Sequence, residues 1–161
     1  MRDIRLTRNF WLHEFEVSRE AAIAGLDNQV PRDLMPNITK LARALQATRD
    51  ALSEEAGRDC PITVTSGYRA PVVNALPGVG GSIGSHHLQG GAADWICPSF
   101  GTPFEVCTFL ADRMEELGWE QLIYEWSWVH SSVLPVKAIN RVISRDSKGW
   151  ALGITETRGL A

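Results

Sequence analysis

The chain carries four histidines, and two of them stand side by side in Ser85-His86-His87-Leu88-Gln89-Gly90-Gly91-Ala92-Ala93-Asp94. Another stands in Trp128-Val129-His130-Ser131. An imidazole on a glycine-rich loop, a carboxylate at the start of a strand and an imidazole on a later strand can make a three-ligand metal site. Catalytic zinc takes three protein ligands and keeps a fourth position open. Zinc held in this way lowers the pKa of water toward neutrality and polarises a carbonyl, and a nearby carboxylate must then take the water's proton. Spacing alone leaves a second reading open. Histidines this far apart are as readily unrelated surface or hydrogen-bonded side chains, with Asp94 capping a loop.

The elements that would position these groups read as follows. Ser18 is a good N-cap for a short helix over Arg19 to Ala24, which Gly25 ends. Pro31 to Glu55 holds the longest helical pattern. Ile38, Leu41, Leu45, Thr48 and Leu52 recur at three- and four-residue steps and line one face. Pro36 suits the start of that helix, and Gly57 closes it. Ile62 to Ser66 is rich in β-branched residues and bounded by Pro61 and Gly67, which predicts a strand. Residues 76–91 contain six glycines and one proline and read as a long loop; such loops in compact domains are usually functional.

Ala92 to Cys97 is a second predicted strand. Thr102, Pro103 and Glu105 make a capping box that opens a helix running to about Leu117. Gln121 to Tyr124 and Val129 to Val133 are strands. Ala138 to Ser144 and Trp150 to Ile154 form a last hairpin turning at Asp146-Ser147-Lys148-Gly149. A few helices followed by mostly antiparallel strands predict an α+β domain.

Composition narrows the function classes. The chain has 161 residues, 44% of them hydrophobic and 22% charged, with a net charge of −3. A chain of this length is one domain and buries roughly 68–70% of its unfolded surface, so it needs no disulfide or metal merely to fold. The charge balance argues against a nucleic-acid binder. Lys137, Arg141, Arg145 and Lys148 make a mildly basic stretch that reads as a solvated hairpin face. No apolar run approaches the roughly 20 residues of a membrane span, and the polar stretch behind the N-terminus is no signal-peptide core. Cys60, Cys97 and Cys107 form no C-x-x-C pair and read as buried free thiols. Three of the six tryptophans, Trp95, Trp126 and Trp128, flank the polar residues above; they read as core, with a cleft wall the minor alternative.

Ser85-x-His87-x-x-Gly90-x-Ala92-x-Asp94 followed by Trp128-Val129-His130-Ser131 resembles the zinc D-alanyl-D-alanine carboxypeptidase family of peptidoglycan peptidases, which includes phage endolysins. Ser66-Gly67-Tyr68-Arg69 is similar to the family's SGYR segment, and Asn74 with Gly80-Gly81-Ser82 to the loop before its histidine motif. Phe10, Glu14, Phe15, Ser18, Ala21 and Gly25-Leu26-Asp27-Asn28 resemble the N-terminal segment of its small phage-type members. The resemblance spans roughly residues 10–133, leaving residues 138–161 as a C-terminal hairpin and tail within one domain over 1–161.

The resemblance implies a hedgehog and D,D-peptidase type of fold, with N-terminal helices packed on a mainly antiparallel sheet that carries a zinc site. It implies one zinc ion on His87, Asp94 and His130, and Arg69 holding a substrate carboxylate with help from Ser85. His86 then becomes a supporting or exposed residue. The general base is the one role whose position departs from most relatives. They place an acid a few residues before the last histidine. Here the position three residues earlier is Ser127, and Glu125 is the nearest acid, as in the phage-type pattern. Glu125 and His130 would face opposite sides of one straight strand, so a bulge or turn at Trp126-Ser127 must intervene. Where some relatives carry a further histidine, this chain has Trp128.

The implied activity is hydrolysis of an amide bond in the peptidoglycan stem peptide, either as a D-Ala-D-Ala carboxypeptidase or as an L-Ala-D-Glu endopeptidase. The implied setting is a monomeric phage or prophage lysis enzyme, made in the cytoplasm without a signal peptide, binding neither nucleic acid nor membrane, and acting on the wall after release. A zinc-containing module that binds the wall without cutting is the alternative. A serine hydrolase using Ser82 in Gly80-Gly81-Ser82-Ile83-Gly84 is a remote one, because the nucleophile elbow needs a strand before the serine and a helix after it.

Overall fold

The hydrophobic face of the long helix organises the molecule. In the computed structural model, which describes residues 3–146 and 149–155, that helix is α3 (Met35–Ala56), led in by a 3-10 turn over Arg32–Leu34. Ile38, Leu41, Leu45, Thr48 and Leu52 are all buried along it. Pro36 lies in its first turn, and Gly57 adopts φ 63° to close it. Each fully buried leucine or isoleucine contributes about 1.5–3 kcal/mol over an exposed one.

Six strands form one sheet: β1 (Thr63–Ser66), β2 (Ala92–Ile96), β3 (Gln121–Tyr124), β4 (Val129–Ser132), β5 (Val142–Asp146) and β6 (Gly149–Leu152). Their order is β1-β2-β4-β3-β5-β6. Neighbours are antiparallel throughout, except β3 and β5, which run parallel. The core face of the sheet contributes Ala93, Trp95, Val129, Leu122 and Tyr124 to the same buried cluster as the α3 face and Trp119. Two polar bonds sit inside this apolar layer. Trp119 Nε1 donates to Thr48 Oγ1 at 2.8 Å, and Trp95 Nε1 donates to Ser131 Oγ at 2.8 Å. A buried indole N–H left without an acceptor would be costly, so each tryptophan fixes the place of a hydroxyl.

Four shorter helices complete the domain: α1 (Leu12–Glu16), α2 (Arg19–Ala24), α4 (Pro71–Asn74) and α5 (Pro103–Ala111), with a last turn, α6 (Met114–Leu117). Ser18 caps α2 by accepting from Ala21 N–H, and Thr102 with Glu105 forms the expected capping box on α5. The α+β class, the capping and the mainly antiparallel sheet agree with the sequence reading. Cys60, Cys97 and Cys107 are buried and free, and burial pushes the Cys97 thiol up to about 11.

Several boundaries differ, each for a local reason. The helix expected to run to Leu117 breaks between α5 and α6. Arg113 turns its guanidinium back to Phe109 O at 2.7 Å, taking a carbonyl that a continuing helix would have used. Helices α1 and α4 were not foreseen, being too short to show a period. Residues 138–140 form a 3-10 turn, so the strand expected from Ala138 begins at Val142. Ser147, Lys148 and residues 156–161 lie outside the described residues, so the expected hairpin turn is seen only at its two ends. Among the described residues no helix is long and apolar enough to cross a membrane.

Candidate metal centre

Strand register places the first two candidate ligands. Directly opposed residues of an antiparallel pair share one face of the sheet, and alternate residues along a strand change face. Asp94 lies opposite His130 in the β2–β4 pair, Ser66 opposite Asp94 in β1–β2, and Ile123 opposite His130 in β3–β4. A row Ser66, Asp94, His130, Ile123 therefore crosses the sheet on the face away from Ala93 and Trp95. His87 joins it from the 3-10 turn His86–Gln89, whose C-cap Gly90 has φ 65°. His87, Asp94 and His130 each offer one ligand atom, all within 4.8 Å of one another.

Each ligand is oriented by a second contact. His87 Nδ1 lies 2.6 Å from Gly67 O. A carbonyl only accepts, so Nδ1 carries the proton and Nε2 keeps a lone pair. That Nε2 lies 3.4 Å from Asp94 Oδ1. Two electron-pair donors facing each other at this distance repel unless a proton or a cation is shared between them. His130 Nδ1 approaches the same Oδ1 at 2.7 Å. The other carboxylate oxygen, Oδ2, accepts from Arg69 Nη2 at 2.7 Å. Three N/O donors of this type, converging on one point, suit zinc and leave a position for water or substrate. The ligand atoms available are His87 Nε2, Asp94 Oδ1 and His130 Nδ1.

The electrostatics favour a cation in the same way. Burial would raise the Asp94 pKa, but the imidazoles of His130 and His87 beside it override burial and hold the carboxyl well below the usual range. Burial lowers the pKa of His87, against the pull of Asp94, so the ring stays neutral. An ionised carboxylate and a neutral imidazole are the protonation states that a metal ion requires.

The segment Ser66-Gly67-Tyr68-Arg69 acts as the frame of this site. Ser66 Oγ accepts from Arg69 Nε at 2.9 Å, so two edges of the guanidinium are fixed, one on Ser66 and one on Asp94. Gly67 packs against α1: a Cβ there would stand 2.6 Å from Phe15 Cα and Phe15 O. Tyr68 N–H donates to Phe15 O at 2.8 Å. Asn28, buried, donates through Nδ2 to Glu16 O and Tyr68 O and accepts through Oδ1 from Ala70 N–H. The N-terminal segment thus clamps the strand end that carries Arg69 and the Gly67 carbonyl.

Glu125 stands at the turn between β3 and β4. Its N–H bonds to Trp128 O at 3.1 Å, and Trp126 adopts φ 60°, the left-handed region that a bulky side chain rarely enters. The Trp126 ring holds that conformation by packing on Tyr124, with centroids 4.7 Å apart. Glu125 follows β3, two residues after Ile123, which lies opposite His130, so strand alternation puts it on the face of the ligand row, and the turn at Trp126-Ser127 reverses the chain between Glu125 and His130. The Glu125 carboxyl is half-buried, and burial raises its pKa against the opposing pull of His130, with Asp94 adding to the rise and Arg145 and Arg69 acting against it.

The other candidates fall as follows. Ser85 caps the 3-10 turn by accepting from His87 N–H at 3.4 Å. His86 Nδ1 pairs with Ser132 Oγ at 2.7 Å, outside the ligand cluster. Ser82 lies on an exposed loop with its Oγ accepting from Gly84 N–H; no strand precedes it and no α-helix follows, so the nucleophile elbow is absent. Trp95 faces the core, so it forms no cleft wall. Trp128, 36% exposed, does line a cleft of about 370 Å³ together with Arg69 and Asp94. The roles of the Gly67 carbonyl and Asn28 were not read from the sequence. A tight glycine between a strand and Tyr-Arg was the one available signal for the first.

No curated protein is found to match the chain closely. The Peptidase M15 family model matches residues 8–130, which include Arg69, His87, Asp94, Glu125 and His130 and stop short of β5 and β6. With most of its length matched, the chain belongs to the Peptidase M15 family of zinc-dependent peptidases.

Proposed function

We propose that this protein hydrolyses an amide bond in the peptidoglycan stem peptide, with one zinc ion on His87, Asp94 and His130 and Glu125 as general base. The observation that carries the reading is the convergence of His87, Asp94 and His130, with Glu125 on the same face of the sheet by the register of β3 and β4.

When bound, zinc polarises the scissile carbonyl and brings the pKa of water toward neutrality. Glu125 accepts the proton of the attacking water and delivers it to the leaving amine. A carboxylate made more basic by burial is better matched to that task. His87, held by Gly67 O, keeps its lone pair aimed at the site throughout. Arg69 has Nε on Ser66 and Nη2 on Asp94, and its Nη1 makes no hydrogen bond among the described residues. It holds a substrate carboxylate through that remaining edge while steadying the Asp94 carboxylate, and Ser85 supports the same region by fixing the turn before His87. The cleft beside Trp128 receives the peptide. The phage-type N-terminal segment supports a role as a lysis enzyme that meets the wall after release.

The deciding experiment is mass analysis of the soluble products after incubation of the purified protein with peptidoglycan, with and without a zinc chelator. Chelator-sensitive loss of one alanine is the carboxypeptidase outcome. Chelator-sensitive release of stem peptides is the endopeptidase outcome. Intact walls of several chemotypes in the presence of zinc would overturn catalysis and favour a binding module.

A further inference from the structure

The cleft beside the ligand row contains six polar or charged side chains: Ser18, Glu20, Thr65, Ser66, Arg69 and Asp94. Most of them are already committed inside the protein. Ser18 Oγ accepts from Ala21 N–H at 3.2 Å, and Thr65 Oγ1 donates to Asp94 O at 3.0 Å. Ser66 Oγ accepts from Arg69 Nε, and the Asp94 carboxylate is held by His130 and Arg69. Two groups remain for a ligand. One is the Nη1 edge of Arg69. The other is the Glu20 carboxylate, exposed on the first turn of α2, with no hydrogen bond or ion pair among the described residues. The rest of the lining is largely apolar, including Val17, Val73 and Val79, with Trp128.

One unengaged anion and one partly engaged cation on the wall of a single cleft select a ligand that carries both charges. We propose that Glu20 is a specificity residue that binds a side-chain ammonium of the substrate, so that the cleft prefers peptides with a free amine on a diamino residue as well as a carboxylate for Arg69. This rests on the peptidase reading above for the identity of the ligand as a peptide. Glu20 lies outside the ligand row and outside the general-base turn, so it changes which substrate binds and leaves the chemistry to other groups. An exposed ion pair has a modest effect, and the expected preference for the free amine is about two- to fivefold. It shrinks as salt rises, because the carboxylate is exposed to solvent.

The test uses two N-acetylated pentapeptides with lysine at the third position and D-Ala-D-Ala at the end, one with the lysine amine free and one with it acetylated. Binding is measured by calorimetry on the zinc-loaded protein, and cleavage is followed in parallel, for wild type, Glu20→Gln and Glu20→Lys. The expected result is tighter binding and a lower KM for the free amine in wild type, loss of that preference in Glu20→Gln, and its reversal in Glu20→Lys, with kcat unchanged. Equal binding of both peptides to wild type, a preference that survives in Glu20→Gln, or no binding of either peptide would overturn the proposal. Amine-selective binding without cleavage would sink the peptidase reading and leave Glu20 standing. Cleavage without amine selectivity would do the reverse.

Discussion

Strand β2 shows the molecule's two kinds of surface on one backbone. Trp95 and Ala93 lie in the buried apolar cluster, fully buried. Asp94, between them, points to the other face and meets His130, His87 and Arg69. The core face gains stability from every atom it buries. The site face holds like donors toward a common point and half-buries the Glu125 carboxyl, arrangements that cost stability unless a cation or substrate answers them. Changes on the two faces should therefore separate cleanly, with the first moving stability and the second moving metal binding and rate.

The largest separation is expected from His87→Ala. It removes the Nε2 ligand, so metal content measured by mass spectrometry or absorption should fall to nothing and activity to background, while the fold stays intact by circular dichroism. A fully active, metal-free His87→Ala protein would end the metal reading. Next comes Glu125→Gln. Activity should drop about 10²–10⁴-fold with zinc still bound, as expected for loss of a general base. An active Glu125→Gln enzyme would remove Glu125 from that role and leave the metal site untouched.

On the opposite face, Trp95→Ala should cost about 3–5 kcal/mol of stability in denaturant unfolding. It also leaves Ser131 Oγ without its indole partner. If the two faces are as separate as the register implies, whatever Trp95→Ala protein remains folded should bind zinc normally. Gly67→Ala tests the seam between them. Its Cβ would press on the Phe15 backbone, at a cost of about 1–3 kcal/mol. Because Gly67 O orients His87, zinc affinity should fall about 10- to 100-fold as well. A stability loss without an affinity loss would mean that the carbonyl does not set the imidazole.

The smallest effect sharpens the cost side. Burial raises the Glu125 pKa above its unfolded value. The protonated form is then favoured in the folded state, so the benefit is full below the unfolded pKa of about 4.3 and is lost as pH rises through the folded value. The metal-free Glu125→Gln protein should therefore melt slightly higher than wild type at neutral pH, by less than about 4 °C. The two should converge in acid. Equal melting temperatures at both pH values would show that the carboxylate is solvated.

Local chemistry was legible wherever the determinant was local. Ser18, Thr102 with Glu105, Gly25 and Gly57 marked helix ends because caps satisfy orphan backbone groups within a few residues. The α3 face was legible because its period repeats over about four turns, from Ile38 to Leu52. The helix break at Arg113 was not, because it depends on where one guanidinium folds back. The parallel pairing of β3 with β5 was not either, since strand order is decided between segments far apart in sequence.

The same division holds at the site. The residue types of His87, Asp94 and His130, set in a motif that resembles a known family, named the chemistry. Residue types alone fix which atoms can donate to a metal. Tertiary structure decided which atoms face one another: register put Asp94 opposite His130 and Glu125 on the same face of the sheet, and Gly67 O settled the tautomer of His87. It also tied Arg69 to Asp94, a contact no spacing predicts. Donor identity is written in single residues, whereas the direction of a lone pair depends on contacts between chain segments that only folding brings within hydrogen-bond distance.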